Sequence, residues 1–515
     1  MTVTDARRLV DKLWSYCNVL RDDGVGTIEY TEQLTYLLFL KMAHERDERA
    51  NPFASRDSAP KQRIVPKELS WQTLLDAEGQ DLEDTYSRIL RELARERGVL
   101  GTVFRKAQNR IQDPAKLRRL VVDLIDQEAW SGTGTDIKGD AYEELLSRGA
   151  EDVKSGAGQY FTPRPLIEAV VDCVDPTVAD TVSDPAAGTG GFLLAAHEHV
   201  AHSAAARDYT PPQRTHLRDD LVHGVELVDG TARLAAMNLL LHGIGDPAGA
   251  SPIDVRDSLI APPSRRATVV LSNPPFGRKS SLTMVGADGR EVREDREIER
   301  QDFVATTSNK QLNFVQHIMS LLEIDGRAAV VLPDNVLFEG GAGEVLRRRL
   351  LRDFDLHTML RLPTGIFYAQ GVKANVLFFD KRQARSDGRP WTERLWVYDL
   401  RTNQHFTLKQ NPLRRHHLDE FVASYKPGRP RGERAESERF RSFAHDELLA
   451  RDKANLDITW LRDASLEDLD SLPAPEVIAR EIVEDLTAAL AEFEAVASAL
   501  EAAAAEGAEG AAVVD

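Results

Sequence analysis

From about residue 151 the chain alternates short apolar runs with stretches of helical periodicity, and this alternation limits the possible folds more than any other feature. The runs are Thr181–Ser183, Leu221–Val225, Thr268–Leu271, Ala328–Leu332, Thr358–Arg361 and Ala374–Phe379. Between them, Pro165–Val174 and Thr231–His242 carry apolar residues three and four apart. A strand followed by a crossover helix returns the chain parallel to itself on the same sheet. The expected fold class is therefore α/β, a doubly wound and mostly parallel sheet. Residues 277–310 form a long polar loop with few apolar anchors, and loops of that length are usually functional or disordered.

The flanking regions have a different texture. Residues 1–150 read as a helical domain, with Leu34, Leu37, Leu38 and Met42 on one helical face and Leu117, Leu120, Val121 and Leu124 on another. The sheet domain would span 151–409. Residues 410–464, which open rich in Arg, His, Pro and Gly, read as a basic connector. Residues 465–515 read as a C-terminal helical extension with an acidic Ala/Glu-rich tail. Its residues Ile478, Ile482, Leu486, Leu490, Phe493, Val496 and Leu500 approach heptad spacing, the pattern of a helix that packs on another helix. That segment carries −12 of the chain's net −18, so the body is only mildly acidic and a local nucleic-acid surface is allowed. The two cysteines cannot build a disulfide framework. No run of about 18 apolar residues marks a membrane span, and the N-terminus lacks the apolar core of a signal peptide. A reduced, cytoplasmic protein without a membrane segment is expected.

Three motifs in order carry the chemistry. Asp184-Pro-Ala-Ala-Gly-Thr-Gly-Gly-Phe192 follows a short strand and precedes a helix, and Gly188, Gly190 and Gly191 permit a tight turn with close approach of a ligand. Alone it could be an ordinary glycine-rich turn, and no Gly-Lys-Ser/Thr follows to make it a P-loop. Glu226 ends the next strand, where a carboxylate can accept both hydroxyls of a ribose, although it lies 38 residues beyond Gly188. Alone, such an acid is more often a helix cap or a solvated charge. Val269-Val-Leu-Ser-Asn-Pro-Pro-Phe276 runs an apolar strand straight into two prolines. The prolines remove backbone donors, so carbonyls there and the Asn273 amide oxygen can converge on an amino group while Phe276 offers a face to a planar base.

Together the first and third motifs resemble motifs I and IV of S-adenosylmethionine-dependent amino-methyltransferases of DNA. Gly158-Gln-Tyr-Phe-Thr-Pro-Arg164 resembles motif X, which precedes motif I in one circular arrangement of that Rossmann-like fold. More narrowly, the chain over about residues 5–480 resembles the modification subunit of type I restriction–modification systems, an adenine-N6 DNA methyltransferase. Leu13-Trp-Ser-Tyr16, Leu37-Leu-Phe-Leu-Lys41, Met237-Asn-Leu-Leu-Leu-His-Gly243, Leu362-Pro-Thr-Gly-Ile-Phe367 and Gly371-Val-Lys-Ala-Asn375 add to the likeness. The resemblance implies that Gln159, Tyr160, Phe161, Thr162, Pro163 and Arg164 cover the methionine end of S-adenosylmethionine. Asp184, Gly188, Thr189 and Gly190 would cradle it and Glu226 would bind its ribose. Asp257 would meet its adenine, with Asp254 the competing candidate. Asn273, Pro274, Pro275 and Phe276 would form the catalytic segment that holds the target adenine, with no metal. Ala187 departs from the pattern, since relatives often carry Cys there.

The resemblance also implies partners. The target atom is hidden inside double-stranded DNA, so the adenine has to flip out. No domain for reading base sequence follows the sheet, so a separate DNA-specificity subunit and a second copy of this chain are expected in the complex. No helicase-type P-loop occurs, so ATP-dependent restriction would belong to a further subunit. Two other readings compete: a protein or RNA amino-methyltransferase, and an idle methyltransferase-like scaffold of a DNA-defence complex. Motif X and the helical N-terminal region weigh against the first, and the intact motifs against the second.

Overall fold

The computed structural model describes residues 11, 13–16, 27–48, 63–128, 130, 162–246, 249–276, 281–285, 291–295, 297–367, 372–408 and 411–461. The chain divides into two units, residues 1–459 and 460–515, the second described only at residues 460 and 461. Gln159, Tyr160 and Phe161, and the apolar seam from Ile478 to Leu500, lie outside the described residues.

The N-terminal region is helical. Its longest elements are α1, Thr27–Glu48, and α2, Gly79–Leu93. In α2 the buried residues Leu82, Tyr86, Ile89, Leu90 and Leu93 recur every three or four positions, a stripe that closes on the core.

The sheet follows, with nine strands among the described residues: β1 Val182–Asp184, β2 Val222–Glu226, β3 Ile253–Val255, β4 Ala267–Ser272, β7 Leu322–Pro333, β8 Phe354–Arg361, β9 Ala374–Lys381, β10 Arg394–Asp399 and β11 Phe440–Ala444. Their order is β11-β10-β8-β9-β7-β4-β1-β2-β3. β3, β2, β1, β4 and β7 are parallel. β9 runs antiparallel to both β7 and β8, β10 is parallel to β8, and β11 is antiparallel to β10. Two more strands, β5 Ser281–Val285 and β6 Glu291–Asp295, pair antiparallel with each other inside the long polar loop.

Consecutive residues Val269, Val270 and Leu271 of β4, and Val330, Val331 and Leu332 of β7, are all fully buried. Neighbours along a strand face opposite sides, so both faces of the sheet are covered, as an unbroken apolar strand requires. Helix α4, Gly191–Ala201, packs on both α3, Arg164–Val174, and α5, Asp229–Leu241, and α6 Lys310–Leu321 packs on β7 and on α7 Ala342–Asp353. From β1 the chain winds outward through β2 to β3, then returns to place β4 on the other side of β1. Connections leaving in opposite directions open a crevice beyond the C-terminal ends of β1 and β4.

The stretch read as a basic connector is part of this layer. It contains β11 and helix α8, Asp419–Tyr425, whose Phe421 is fully buried together with Phe440 of the strand. Its arginines look like surface residues by composition, but Arg434 is buried and Arg431 half-buried, each matched by partners. Arg431 pairs with Asp355 and Asp380, and Arg434 donates to Thr358 Oγ1 and the Tyr425 carbonyl, both at 2.9 Å. Arg347, at the head of an arginine run on α7, is buried and donates to the carbonyls of Val336, Glu339, Lys453 and Ala454. A buried guanidinium is tolerated when each donor finds an acceptor. Arg347 is therefore an internal pin, while Arg348 pairs with Glu344 and Arg352 with Asp353 on the helix surface.

The helical N-terminal region packs on α5. Arg233 of that helix is buried and donates to Glu32 and Tyr36 of α1, and Lys106 lies 3.2 Å from Asp229. Arg233→Ala leaves Glu32 and the Tyr36 hydroxyl without that donor, at a cost of about 1–3 kcal/mol. The variant is expected to melt earlier and to be cut sooner by protease within residues 27–128. Melting and cleavage identical to the parent would contradict this role.

Candidate active site

The crevice beyond β1 and β4 is built by short backbone links. Asp184 ends β1 and is almost fully buried, and its Oδ1 accepts from the Ser272 hydroxyl at the end of β4 (2.6 Å) and from Ala186 N–H (2.9 Å). The glycine loop then turns: Ala187 N–H donates to the Val225 carbonyl on β2 at 3.0 Å, and Gly190 N–H returns to the Ala187 carbonyl at 2.8 Å. Gly190 has φ +85°, a left-handed conformation that favours glycine, and it caps α4. Behind it stand Ala235 and Leu239 of α5, and Asn238 of the same helix donates Nδ2–H to the Thr189 carbonyl at 3.2 Å.

Glu226 joins the end of β2 to this loop. Its Oε2 accepts from Gly188 N–H at 3.0 Å and its Oε1 from Val228 N–H at 2.9 Å. Burial raises its carboxyl above the ordinary range, and the N–H groups of Val228, Gly188 and Leu227 offset part of that rise. Beside Gly188 there is open space, since an added Cβ would meet nothing within 4 Å. Next to the acid, Leu227 is 63% and Val228 52% exposed, an apolar lip beside the carboxylate. The space, the lip and a fixed carboxylate fit a nucleoside with a sugar diol.

After β3, Asp257 Oδ1 accepts from Leu259 N–H at 2.8 Å, and Ser258 Oγ donates to the Pro185 carbonyl at 2.6 Å, so this turn abuts the glycine loop. Asp254 lies within β3 and faces His223 at 3.3 Å and Arg256 at 3.6 Å. Of the two aspartates, only Asp257 belongs to the turn that contacts the loop.

On the other side of the crevice, Asn273 and Phe276 are half-buried, Pro274 is buried and Pro275 is exposed. Asn273 Nδ2–H donates to Thr162 Oγ1 at 2.8 Å. Gln311 of α6 approaches the Pro275 carbonyl at 3.5 Å. The Phe276 ring meets the edge of Phe367 at 5.8 Å between centroids and 76° between planes. Phe367 is held by a constrained turn: Gly365 has φ +80°, and a Cβ there would stand 2.0 Å from the Phe406 carbonyl oxygen. An alanine cannot occupy that position without moving the Phe276 support.

The structure thus brings together Thr162, Asp184, Gly188, Thr189, Gly190, Glu226, Asp257 and Asn273 through Phe276. It does not bring Arg164 to them, because that guanidinium pairs with Glu198 at 2.8 Å and Glu168 at 3.3 Å on helices α4 and α3. Pro163 is the N-cap residue of α3. Asp184 serves the loop from below. Sequence reasoning missed Ser272, Ser258, Gln311 and the buttress role of Phe367. Ser272 was the most legible of these, being the polar residue between an apolar strand and Asn-Pro-Pro-Phe.

Burial holds the Asp184 carboxyl up at about 7; the Ser272 and Ala186 hydrogen bonds oppose the rise and the Glu226 charge adds to it. An unfolded aspartate titrates near pH 4. The raised value means that the neutral acid favours the fold, so this contribution is complete below about pH 4 and is lost as pH rises through about 7. Asp184→Asn keeps an oxygen for Ser272 and Ala186 and removes the titration. Between pH 5 and 8 the parent should lose melting temperature more steeply than the variant; parallel profiles would contradict the assignment.

Known proteins resemble this chain along most of its length. The N-6 DNA Methylase family model matches residues 133–465, and the HsdM N-terminal domain model matches residues 9–124. The StySJI methylase subunit of a type I restriction enzyme from Salmonella typhimurium strain LT2 is 38% identical over 95% of this chain and 94% of that protein. The EcoKI methylase subunit from Escherichia coli strain K12 is also 38% identical, over the same shares. A crystal structure of a modification subunit assigned to a type I restriction enzyme of Vibrio vulnificus YJ016 superposes with TM-score 0.70 at 25% identity, covering 91% of this chain and 99% of that one.

Proposed function

The chain belongs to the N-6 DNA methylase family, as a methylase subunit of the type I restriction kind, and on that premise we propose that it methylates the N6 amino group of an adenine flipped out of duplex DNA, using S-adenosylmethionine. The observation that carries this reading is the shared crevice: Asn273-Pro-Pro-Phe276 at the end of β4 faces the same opening as the glycine loop and Glu226 at the ends of β1 and β2.

In this reading Glu226, already fixed by two backbone N–H groups, accepts the ribose hydroxyls, and the loop from Gly188 to Gly190 lets the ligand approach the backbone. Asp257 would meet the adenine of the cofactor, and the exposed Leu227 and Val228 would offer that ring an apolar surface. Bound S-adenosylmethionine supplies a methyl group activated by positive sulfur. The target amine is a poor nucleophile, because its lone pair is delocalised into the base. Acceptors at Asn273 and Pro274 bind its hydrogens, favour a pyramidal nitrogen and aim its lone pair. Phe276, braced by Phe367, stacks the flipped base. Orientation and charge stabilisation supply the rate, and the reaction needs no nucleophile from the protein.

Glu226→Ala should weaken S-adenosylmethionine binding by about 10- to 150-fold, the equivalent of a charged hydrogen bond of about 1.5–3 kcal/mol. Phe276→Ala should leave that affinity nearly intact and strongly reduce N6-methyladenine, since base stacking contributes about 1–3 kcal/mol. Calorimetry and mass spectrometry of the DNA product check both. Unchanged cofactor binding in the first variant would overturn the ribose assignment; N4-methylcytosine or methylated protein would overturn the substrate.

Site choice is assigned to a partner. The body is only mildly acidic, and reading base sequence needs a surface of its own. We place the chain in a cytoplasmic complex of two modification subunits and one specificity subunit, with restriction carried by a further ATP-dependent subunit. Among the described residues no helix is long and apolar enough to cross a membrane. Alone, the chain should bind DNA weakly and without sequence preference, and light scattering should find two copies per specificity subunit in the active complex. Site-specific methylation by the purified chain alone would sink this assignment.

A further inference from the structure

Thr162 stands out because it contacts the other half of the site. The resemblance makes residues 159–164 a cover for the cofactor, yet Thr162 Oγ1 accepts the side-chain N–H of Asn273 at 2.8 Å across 111 positions of sequence. Thr162 is 9% exposed and directly precedes Pro163, the N-cap of α3, so its backbone is anchored at a helix start. Its partner ends β4, the strand whose Ser272 is tied to Asp184. Both ends of the contact are therefore mounted on regular structure.

The contact matters because a primary amide has two unlike halves. Its oxygen accepts and its nitrogen donates, and a half-turn about the last side-chain bond exchanges them. The target amino group of adenine brings hydrogens, so only the oxygen half of Asn273 can meet it; the nitrogen half would set donor against donor. In the structure the nitrogen half is turned to Thr162 and the oxygen half away from it. The following prolines contribute no N–H groups that could reorient the amide locally.

We propose that Thr162 is a positioning residue for methyl transfer, holding the Asn273 amide with its oxygen presented to the target amine. This rests on the adenine-methyltransferase reading above and assigns Thr162 a role beyond covering the cofactor. A group misplaced by a small distance can cost about 100-fold in rate without loss of binding.

The test compares Thr162→Val, which keeps the shape and removes the acceptor, with Thr162→Ser, which keeps the hydroxyl. Each chain is assembled with its specificity subunit, loaded with tritiated S-adenosylmethionine and mixed with excess unmethylated bacteriophage lambda DNA, and the single-turnover rate is read. Thr162→Val should slow methyl transfer about 10- to 100-fold, with a much smaller loss of cofactor affinity, and Thr162→Ser should restore most of the rate. Should the valine variant fail to fold, Thr162→Ser against Thr162→Ala reads the same difference. A parent-like rate in the valine variant overturns the inference and leaves the methyltransferase reading standing. A loss of cofactor affinity as large as the loss of rate overturns it in favour of a cofactor role alone. A parent complex that binds the cofactor and leaves the DNA unmethylated overturns the methyltransferase reading and this inference with it.

Discussion

The carboxyl group of Asp184, buried between the ends of β1 and β4, ties the two halves of the site together. On one side it carries the first turn of the glycine loop through Ala186; on the other it accepts from Ser272, the residue before Asn273. Without that link, the loop and the Asn-Pro-Pro-Phe segment would be two strand ends that happen to be neighbours. With it, their separation is set by a hydrogen bond of 2.6 Å in a site closed to water. The high protonation threshold of Asp184 follows from the same burial, because a charge there has little solvent to stabilise it.

A second constraint comes from behind. Helix α5 carries Ala235, Asn238 and Leu239 against the glycine loop and Arg233 against α1. One helix thus supports the cradle with residues on one stretch of its surface and anchors the N-terminal region with another. The N-terminal helices are packed one element away from the cofactor loop, so a disturbance of the Arg233 contact has a short route to Thr189 and Gly190.

Much of this was legible in the sequence. Six apolar runs gave six of the sheet's strands, because β1, β2, β4, β7, β8 and β9 are central and buried on both faces. The strands that escaped are β3, only three residues long, β11 at the far edge, where Arg441 and Ser442 break the apolar pattern, and β10 beside it, an apolar run of four residues that the six runs did not include. The basic stretch before β11 hid its place in the layer, since composition cannot show that Arg431 is matched by Asp355 and Asp380. In the site, the motif residues were readable because glycine and proline act through local backbone geometry. The long-range partners were not: Thr162 with Asn273, Ser272 with Asp184 and Phe367 with Phe276 meet only after the sheet has assembled. Arg164 shows the converse, a motif residue that the fold turns toward Glu198 and Glu168.

The central claim is that one crevice holds both the cofactor and an extrahelical adenine. Its most direct test is a structure of the complex with S-adenosylhomocysteine and a duplex carrying the recognised site. The account predicts the ribose hydroxyls on the Glu226 carboxylate and a flipped adenine stacked on Phe276, its amino group within hydrogen-bond distance of the Asn273 side-chain oxygen and the Pro274 carbonyl. A nucleoside bound away from Glu226, or a target adenine still stacked in the duplex with Phe276 facing an empty crevice, would contradict it.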